Sequence, residues 1–372
     1  MADSAAPKLL FLVTEDWYFV SHRLPLALAA RRQGYDVTVV TRCRNHCRMI
    51  TDAKLKVIPF EMDRRGLNPF VLLREVLALV RIYRRERPDV VHHVALRAAV
   101  VGAMAARIAG IRRVVSAVTG MGFLFAKTGR RPVTRRLVEL SLPSLLGRGL
   151  TITQNAADAE QLAEFGLAKS SLRLIPGAGV DTACFSPLHE PAGPPVVMMI
   201  SRLLWDKGVG EFVEAARQLY GLDARFVLVG GLDPGNPASV TEEDVQGWTA
   251  EGFIECWGYC EDMVDTISKA HLVCLPSYRE GLSKALLEAM ACGKPCVTSD
   301  VPGCRDVVRH GDNGLLVPAQ NAGALAKAIK QLLDDPEARL RMGARGRERA
   351  VAEFSQDRVI SATLKIYGEL WS

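Results

Sequence analysis

The sequence lacks an apolar run of the roughly 18 residues that a membrane-spanning helix requires. The longest candidate, residues 98–111, is interrupted by Arg107. It also lacks a basic leader, and the apolar residues 9–13 are too few for a signal-peptide core, so no export signal is expected. No low-complexity tract or short-period repeat occurs, which sets aside solenoids and repeat arrays. No stretch interleaves aromatic with basic residues, and no nucleic-acid reader motif is recognisable. The i,i+4 cysteine pairs Cys43/Cys47, Cys256/Cys260 and Cys292/Cys296 lack His or Cys companions at zinc-finger spacing. No metal site is expected, and the nine cysteines should stay reduced as buried or incidental thiols.

What is present describes a globular chain: 372 residues, 49% hydrophobic and 24% charged. That length exceeds one comfortable core, and two domains of about 180 residues are the natural division. Charge is unevenly spread. Residues 1–185 hold 28 Lys and Arg against 15 Asp and Glu, net +13; the rest hold 19 against 26, net −7, together the +6 of the chain. A basic first half points to an anionic partner, either nucleic acid or an anionic membrane surface carrying a diphosphate lipid.

Short apolar runs alternate with helical periodicity. The first half should place strands at 8–14, 35–41, 55–60, 89–94, 113–118, 151–154 and 172–175, with helices at 24–32 and 96–109. Asn68-Pro69 opens a longer helix whose Val71, Leu72, Val76, Leu79, Val80 and Tyr83 recur at helical spacing. Its end is densely basic: Arg81, Arg84, Arg85 and Arg87. The pattern breaks at 176–181, and prolines 187, 191, 194 and 195 read as a linker. A second series follows, with strands at 196–200, 226–229, 254–257, 272–275, 296–299 and 315–317. Such alternation predicts two α/β, doubly wound domains, each a parallel sheet covered on both faces. The expected division is 1–182, 183–354 and a final helical segment 355–372.

Two stretches concentrate charge where such folds bind ligands. After the strand at 272–275, Glu280-Gly281-Leu282-Ser283 forms a loop, and Glu288 falls inside the helix that follows, closed by Gly293 and Pro295. After the strand at 196–200 come Arg202, Lys207 and Gly208. Alone, the carboxylates would be an ordinary loop Glu and an ordinary helix-face Glu. Carboxyl edges of doubly wound sheets, however, bind ligands, and helix starts offer N–H groups to phosphate. Two cations and two anions at equivalent strand ends suit a diphosphate and its attached hydroxyls.

Ser-Arg-Leu-x-x-x-Lys-Gly followed by Glu-Gly-x-x-x-x-x-x-Glu-Ala-Met-Ala-x-Gly-x-Pro resembles the retaining GT-B glycosyltransferases of family 4. The resemblance runs over essentially the whole chain. Residues 15–23 and 119–125 look most like enzymes that extend undecaprenyl-diphosphate-linked sugars with a hexose or N-acetylhexosamine in bacterial glycan assembly. The likeness implies two Rossmann-like domains facing across a cleft, the first for the acceptor and the second for the nucleotide sugar. It also implies that the last helix returns to the first domain. By resemblance, Arg202 and Lys207 hold the donor diphosphate, Glu280 the donor sugar and Glu288 the ribose hydroxyls. Backbone N–H groups after Gly281, at Leu282 and Ser283, would supply oriented donors. Gly258 and Tyr259, before Asp262, border the nucleotide base. The loop 230–237 is either nucleotide-side or a plain surface turn. No Asp-x-Asp motif occurs to hold a metal, so a metal-independent transferase without a cofactor is implied.

The acceptor side is less defined. Many relatives carry a His before the first Gly of the segment that here reads Thr119-Gly120-Met121-Gly122, so no catalytic His transfers. His92 and His93 are either a partial replacement or buried structural side chains. Glu15 and Asp16, helped by His22, are candidates for a base or an acceptor-hydroxyl contact. An internal-return mechanism would need neither, because the donor phosphate can take the proton. The segment 123–148 sets Phe123, Leu124 and Phe125 beside Lys127, Arg130, Arg131, Arg135 and Arg136, then a leucine-rich stretch. It reads either as an interfacial membrane element or as a core helix with a solvated basic face. The enzyme is thus expected in the cytoplasm, on the inner face of the plasma membrane. Rival readings are a sugar-nucleotide epimerase of the same architecture, a lipopolysaccharide-core glycosyltransferase and, remotely, a nucleic-acid-binding protein.

Overall fold

A computed structural model describes residues 6–62, 68–120, 132–187 and 189–371. The chain divides into two compact units, residues 1–178 with 359–372, and residues 179–358.

The first unit begins with β1 (Lys8–Glu15), α1 (Asp16–His22), α2 (Leu24–Arg32), β2 (Asp36–Arg42), α3 (Cys47–Asp52) and β3 (Lys56–Pro59). It continues through α4 (Pro69–Glu86), β4 (Val90–Val94), α5 (Leu96–Ala109), β5 (Arg113–Val118) and α6 (Pro132–Leu146). Then come β6 (Leu150–Thr153), α7 (Ala156–Glu164) and β7 (Leu172–Leu174). All strands pair in parallel in the order β3-β2-β1-β4-β5-β6-β7. Leu9, Phe11 and Val13 of β1 point to one face and Leu10 and Leu12 to the other, because successive strand side chains alternate. Each face is covered by helices, so the strands are apolar on both sides.

The second unit holds β8 (Val196–Ile200), α8 (Val209–Gln218), β9 (Arg225–Val229), α9 (Glu242–Ala250), β10 (Glu255–Gly258) and α10 (Met263–Ser268). It closes with β11 (Leu272–Leu275), α11 (Lys284–Ala291), β12 (Cys296–Ser299), β13 (Gly314–Val317), α12 (Ala322–Asp334) and α13 (Pro336–Phe354). Its sheet is parallel, in the order β10-β9-β8-β11-β12-β13. In both sheets the order reverses beside the first strand, between β1 and β4 and between β8 and β11. That reversal opens a crevice at the carboxyl edge.

The last helix, α14 (Gln356–Glu369), packs from Val359 onward on the first unit. Tyr367 is fully buried there, its hydroxyl 2.6 Å from His92 Nδ1. Arg173 pairs with Glu369, and Arg113 Nε donates to the Leu370 carbonyl.

Two expectations change. The prolines expected to form the linker do not separate the two units, because the second unit already begins at residue 179 and His189 and Glu190 are held on it. Arg339 pairs with Glu190 at 2.8 Å, Lys294 Nζ donates to the His189 carbonyl, and Arg347 donates to the carbonyls of Thr182 and Phe185. Nor are all nine cysteines reduced: Cys43 and Cys47 form a disulfide. The turn before α3 brings their Cα atoms to 5.4 Å, inside bridging range. Local geometry thus permits a bond between two thiols that were expected to stay reduced. The other seven are free thiols.

Candidate functional site

In the second unit the switch point is built by two loops that are tied together. The loop after β8 makes a short 3-10 turn, Trp205–Lys207, and ends at Gly208. The loop after β11 runs from Pro276 to Ser283. Tyr278 N donates to the Asp206 carbonyl at 2.9 Å, and the Tyr278 hydroxyl donates to Glu211 at 2.7 Å. These bonds hold Lys207 Nζ 2.5 Å from Glu280 Oε1, which also accepts from Ser277 Oγ at 2.6 Å. The side chains are 21% and 10% exposed, so the pair is sheltered yet reachable.

Glycine makes this approach possible. Gly208 has φ +80°, and a Cβ there would stand 2.2 Å from the Pro276 carbonyl oxygen. Gly208→Ala should therefore both strain the backbone and push the two loops apart. A loss of about 1–3 kcal/mol in urea unfolding is expected, together with loss of activity through the displaced Lys207.

Arg202 reaches the next loop, where Nη1 donates to Asp233 Oδ2 at 2.5 Å. Backbone bonds join the same segments, Leu203 N to the Gly231 carbonyl and Trp205 N to the Ala238 carbonyl. At β10, Gly258 has positive φ and Tyr259 is 71% exposed, with the Gly258 carbonyl accepting from Gly230 N.

Glu288 sits in α11, whose N-cap is Ser283, accepting from Leu286 N. It is 4% exposed, and Lys284 Nζ lies 2.5 Å from its Oε1. Burial raises the Glu288 pKa above the ordinary carboxylate value; Lys284 opposes that only in part. Among the described residues, no acceptor takes the amides of Leu282 and Ser283. Arg202, Lys207, Gly258, Tyr259, Glu280, Gly281, Leu282, Ser283 and Glu288 thus all stand on segments at or just beyond the carboxyl ends of β8, β10 and β11. Asp233, Ser277, Tyr278, Glu211 and Lys284 were not singled out from sequence. Lys284 carried a local signal, its i,i+4 spacing to Glu288, and Ser277 meets Glu280 within one loop; Asp233, Tyr278 and Glu211 meet their partners between segments far apart in the chain. Chemically, such a site can neutralise a polyanion, offer free N–H groups at a helix start and accept hydrogen bonds from hydroxyls.

In the first unit, Glu15 ends β1 and pairs with Arg42 at 3.0 Å. Asp16 is fully buried, and its carboxylate accepts from the amides of Trp17, Arg44 and His46 at 2.7–2.9 Å. Asp16 therefore anchors the disulfide-bridged turn 43–47, and a long-range contact of this kind has no sequence signature. His22 stacks on Tyr18 with ring centroids 4.1 Å apart. Thr119 and Gly120 follow β5 at the same edge, Gly120 with φ 124°. His93 lies in the core, with Nε2 3.0 Å from the Tyr83 hydroxyl and its ring under Gly102. Burial lowers its pKa to about 3 and pushes His92 well below the ordinary value, so both rings are neutral. Of the two readings for these imidazoles, their complete burial favours the structural one. Met121, Gly122 and the cluster 123–131 lie outside the described residues.

Residues 182–349 match the model of the glycosyl transferases group 1, and residues 8–145 match the glycosyl transferase 4-like model. The N,N'-diacetylbacillosaminyl-diphospho-undecaprenol alpha-1,3-N-acetylgalactosaminyltransferase of Campylobacter jejuni is 30% identical over 360 residues, 93% of this chain and 94% of that one. The chain belongs to the group 1, type-4-like glycosyltransferases. The capsular polysaccharide biosynthesis glycosyltransferase CapM of Staphylococcus aureus is 22% identical, with 94% of this chain and 93% of that one covered. Among solved structures, sucrose-phosphate synthase of Thermosynechococcus elongatus superimposes with TM-score 0.82 at 23% identity, over 98% and 99% of the two chains. Anabaena HepE in complex with UDP and glucose gives 0.79 at 20%, over 96% and 98%. The fold of this glycosyltransferase is that of the GT-B enzymes.

Proposed function

We propose that this glycosyltransferase is retaining and metal-independent and moves a hexose or N-acetylhexosamine from UDP to an undecaprenyl-diphosphate-linked saccharide. The observation that carries the reading is the Lys207–Glu280 pair, 2.5 Å apart at the switch point of the second sheet. The Campylobacter relative's name describes a lipid-linked diphosphate acceptor, and HepE was solved with UDP and glucose.

In this reading Lys207 and Arg202 take up the charge that develops on the departing diphosphate. The amides of Leu282 and Ser283 at the start of α11 add fixed donors. Glu280 orients the donor sugar beside Lys207. Glu288, buried and fixed by Lys284, accepts from the ribose hydroxyls, and Gly258 and Tyr259 border the base. These cations supply the charge that a divalent metal provides elsewhere. The departing phosphate oxygen takes the acceptor proton, so the acceptor attacks the face that the leaving group vacates and the anomeric configuration is kept.

Glu15, His22, Thr119 and Gly120 are the acceptor-side candidates. Peripheral attachment to an anionic membrane is part of the same proposal. Beyond the basic first half, it is supported by Phe70, Leu73 and Leu77 of α4, which are 82%, 56% and 43% exposed. Among the described residues, no helix is long and apolar enough to cross a membrane.

The test is a panel of UDP-, GDP- and ADP-sugars, followed by thermal stabilisation and by hydrolysis or transfer. One UDP-hexose or UDP-N-acetylhexosamine should raise Tm and be consumed. With a lipid-diphosphate saccharide, the product should keep the donor's anomeric configuration by NMR, at a rate unchanged by EDTA. Stabilisation by no sugar nucleotide would overturn the reading, and turnover without an acceptor to an epimerised sugar would replace it.

A further inference from the structure

At the amino edge of the first sheet, opposite the edge that carries Glu15 and Thr119, an open cavity of about 590 Å³ lies between the ends of α4 and α5. Its size is that of a small-molecule site. Its lining is unusual in charge, with Arg84, Arg87, Arg112 and Arg113 and a single carboxylate, Asp89.

That carboxylate is already engaged, since Asp89 Oδ2 accepts from Lys8 N at 2.8 Å. The neighbouring Glu86 is held by Lys56 and Arg85. Arg113 donates to the Leu370 carbonyl and stacks on Trp371 with its guanidinium 3.9 Å from the ring centroid. Among the described residues, Arg84, Arg87 and Arg112 make no ion pair.

Two helix C-termini point at the cavity, and arginines near such ends complement the helix dipole. That accounts for only part of the charge. Each terminus contributes roughly half a negative charge. With Asp89, about two of the four positive charges remain uncompensated. Guanidinium groups also present paired N–H donors that match phosphate oxygens.

We infer that this cavity binds an anionic phosphate group, supplied either by a phospholipid headgroup or by a soluble phosphate compound. The assignment does not depend on the donor and acceptor assigned to the carboxyl edges. No residue of the cavity is placed in the transfer machinery.

Two measurements on the full chain separate the sources. Hydrogen exchange with inorganic pyrophosphate should slow in peptides covering 84–89 and 109–113, a readout that ignores any binding in the second unit. Co-sedimentation should be stronger with phosphatidylglycerol vesicles than with phosphatidylcholine vesicles. Arg84→Glu/Arg112→Glu should weaken whichever response is seen by about tenfold or more, and the transfer rate to a water-soluble acceptor should stay as in the wild type. If the charge reversal impairs folding, Arg84→Gln/Arg112→Gln gives the same comparison. Pyrophosphate protection alone assigns a soluble phosphate, and phosphatidylglycerol binding alone assigns a headgroup. Absence of both responses, or responses equal in wild type and variant, overturns the site.

Discussion

Lys207→Ala and Glu280→Ala are each expected to lower kcat/KM by about 10³-fold or more while the protein stays folded. The size follows from the role proposed for the pair: removing one preorganised charge at a departing group costs about 10²–10³-fold, and here each change also releases its partner. The two side chains share one 2.5 Å contact, so they act as a unit. The double variant should then be little worse than either single one, because effects within a unit do not multiply. Stability should change by only about 1 kcal/mol, since both groups retain solvent contact and Ser277 Oγ still donates to Glu280 in Lys207→Ala. Rates near wild type in either variant, or losses that multiply in the double, would remove this pair from the transfer step.

The sequence made the sheets legible because their strands are apolar on both faces and leave continuous runs. All thirteen runs of this kind became strands, most displaced by no more than a residue or two at an end. The helix α2 fell on its expected bounds, Leu24–Arg32. By contrast, α1 was hidden, since the aromatic cluster that follows Glu15 and Asp16 has no helical spacing of its own. Placement of Arg202, Lys207, Glu280 and Glu288 at one sheet edge was readable because each follows a recognisable strand. Their pairings were not. Arg202 with Asp233 joins two loops, and Tyr278 with Glu211 joins a loop to the first turn of α8, across separations of 31 and 67 residues. The burial of Asp16 beneath the turn 43–47 likewise depends on a contact between β1 and β2 that no local pattern encodes. His93 shows the same limit: a strand-end imidazole looks available until α5 covers it through Gly102.

Glu288→Gln should make the enzyme more stable and a poorer binder of its donor. Folding takes the carboxylate to 4% exposure, and burial, only partly opposed by Lys284, raises its pKa. Between the ordinary carboxylate pKa and this raised one, the folded protein keeps a proton that the unfolded chain has released. Stability from this residue is therefore full below the ordinary value and is lost as pH rises through the raised one. Above that window the wild type carries the cost of a buried charge. Glutamine has the same shape and no charge to bury, and Lys284, 32% exposed, can be solvated once released. The variant's Tm should exceed that of the wild type at neutral pH, and the difference should shrink as pH falls below the window. Hydrogen bonds from two hydroxyls to a charged acceptor contribute about 1.5–3 kcal/mol each. Because glutamine keeps one neutral acceptor, the loss should be a rise in donor KM of about 10–100-fold with kcat little changed. The carboxylate would then be conserving donor affinity at the expense of the fold, as binding groups held in apolar surroundings do. A variant that is less stable at neutral pH with an unchanged KM would instead make Glu288 the anchor of Lys284, and the ribose contact would have to be sought elsewhere on the loops beyond β10 and β11.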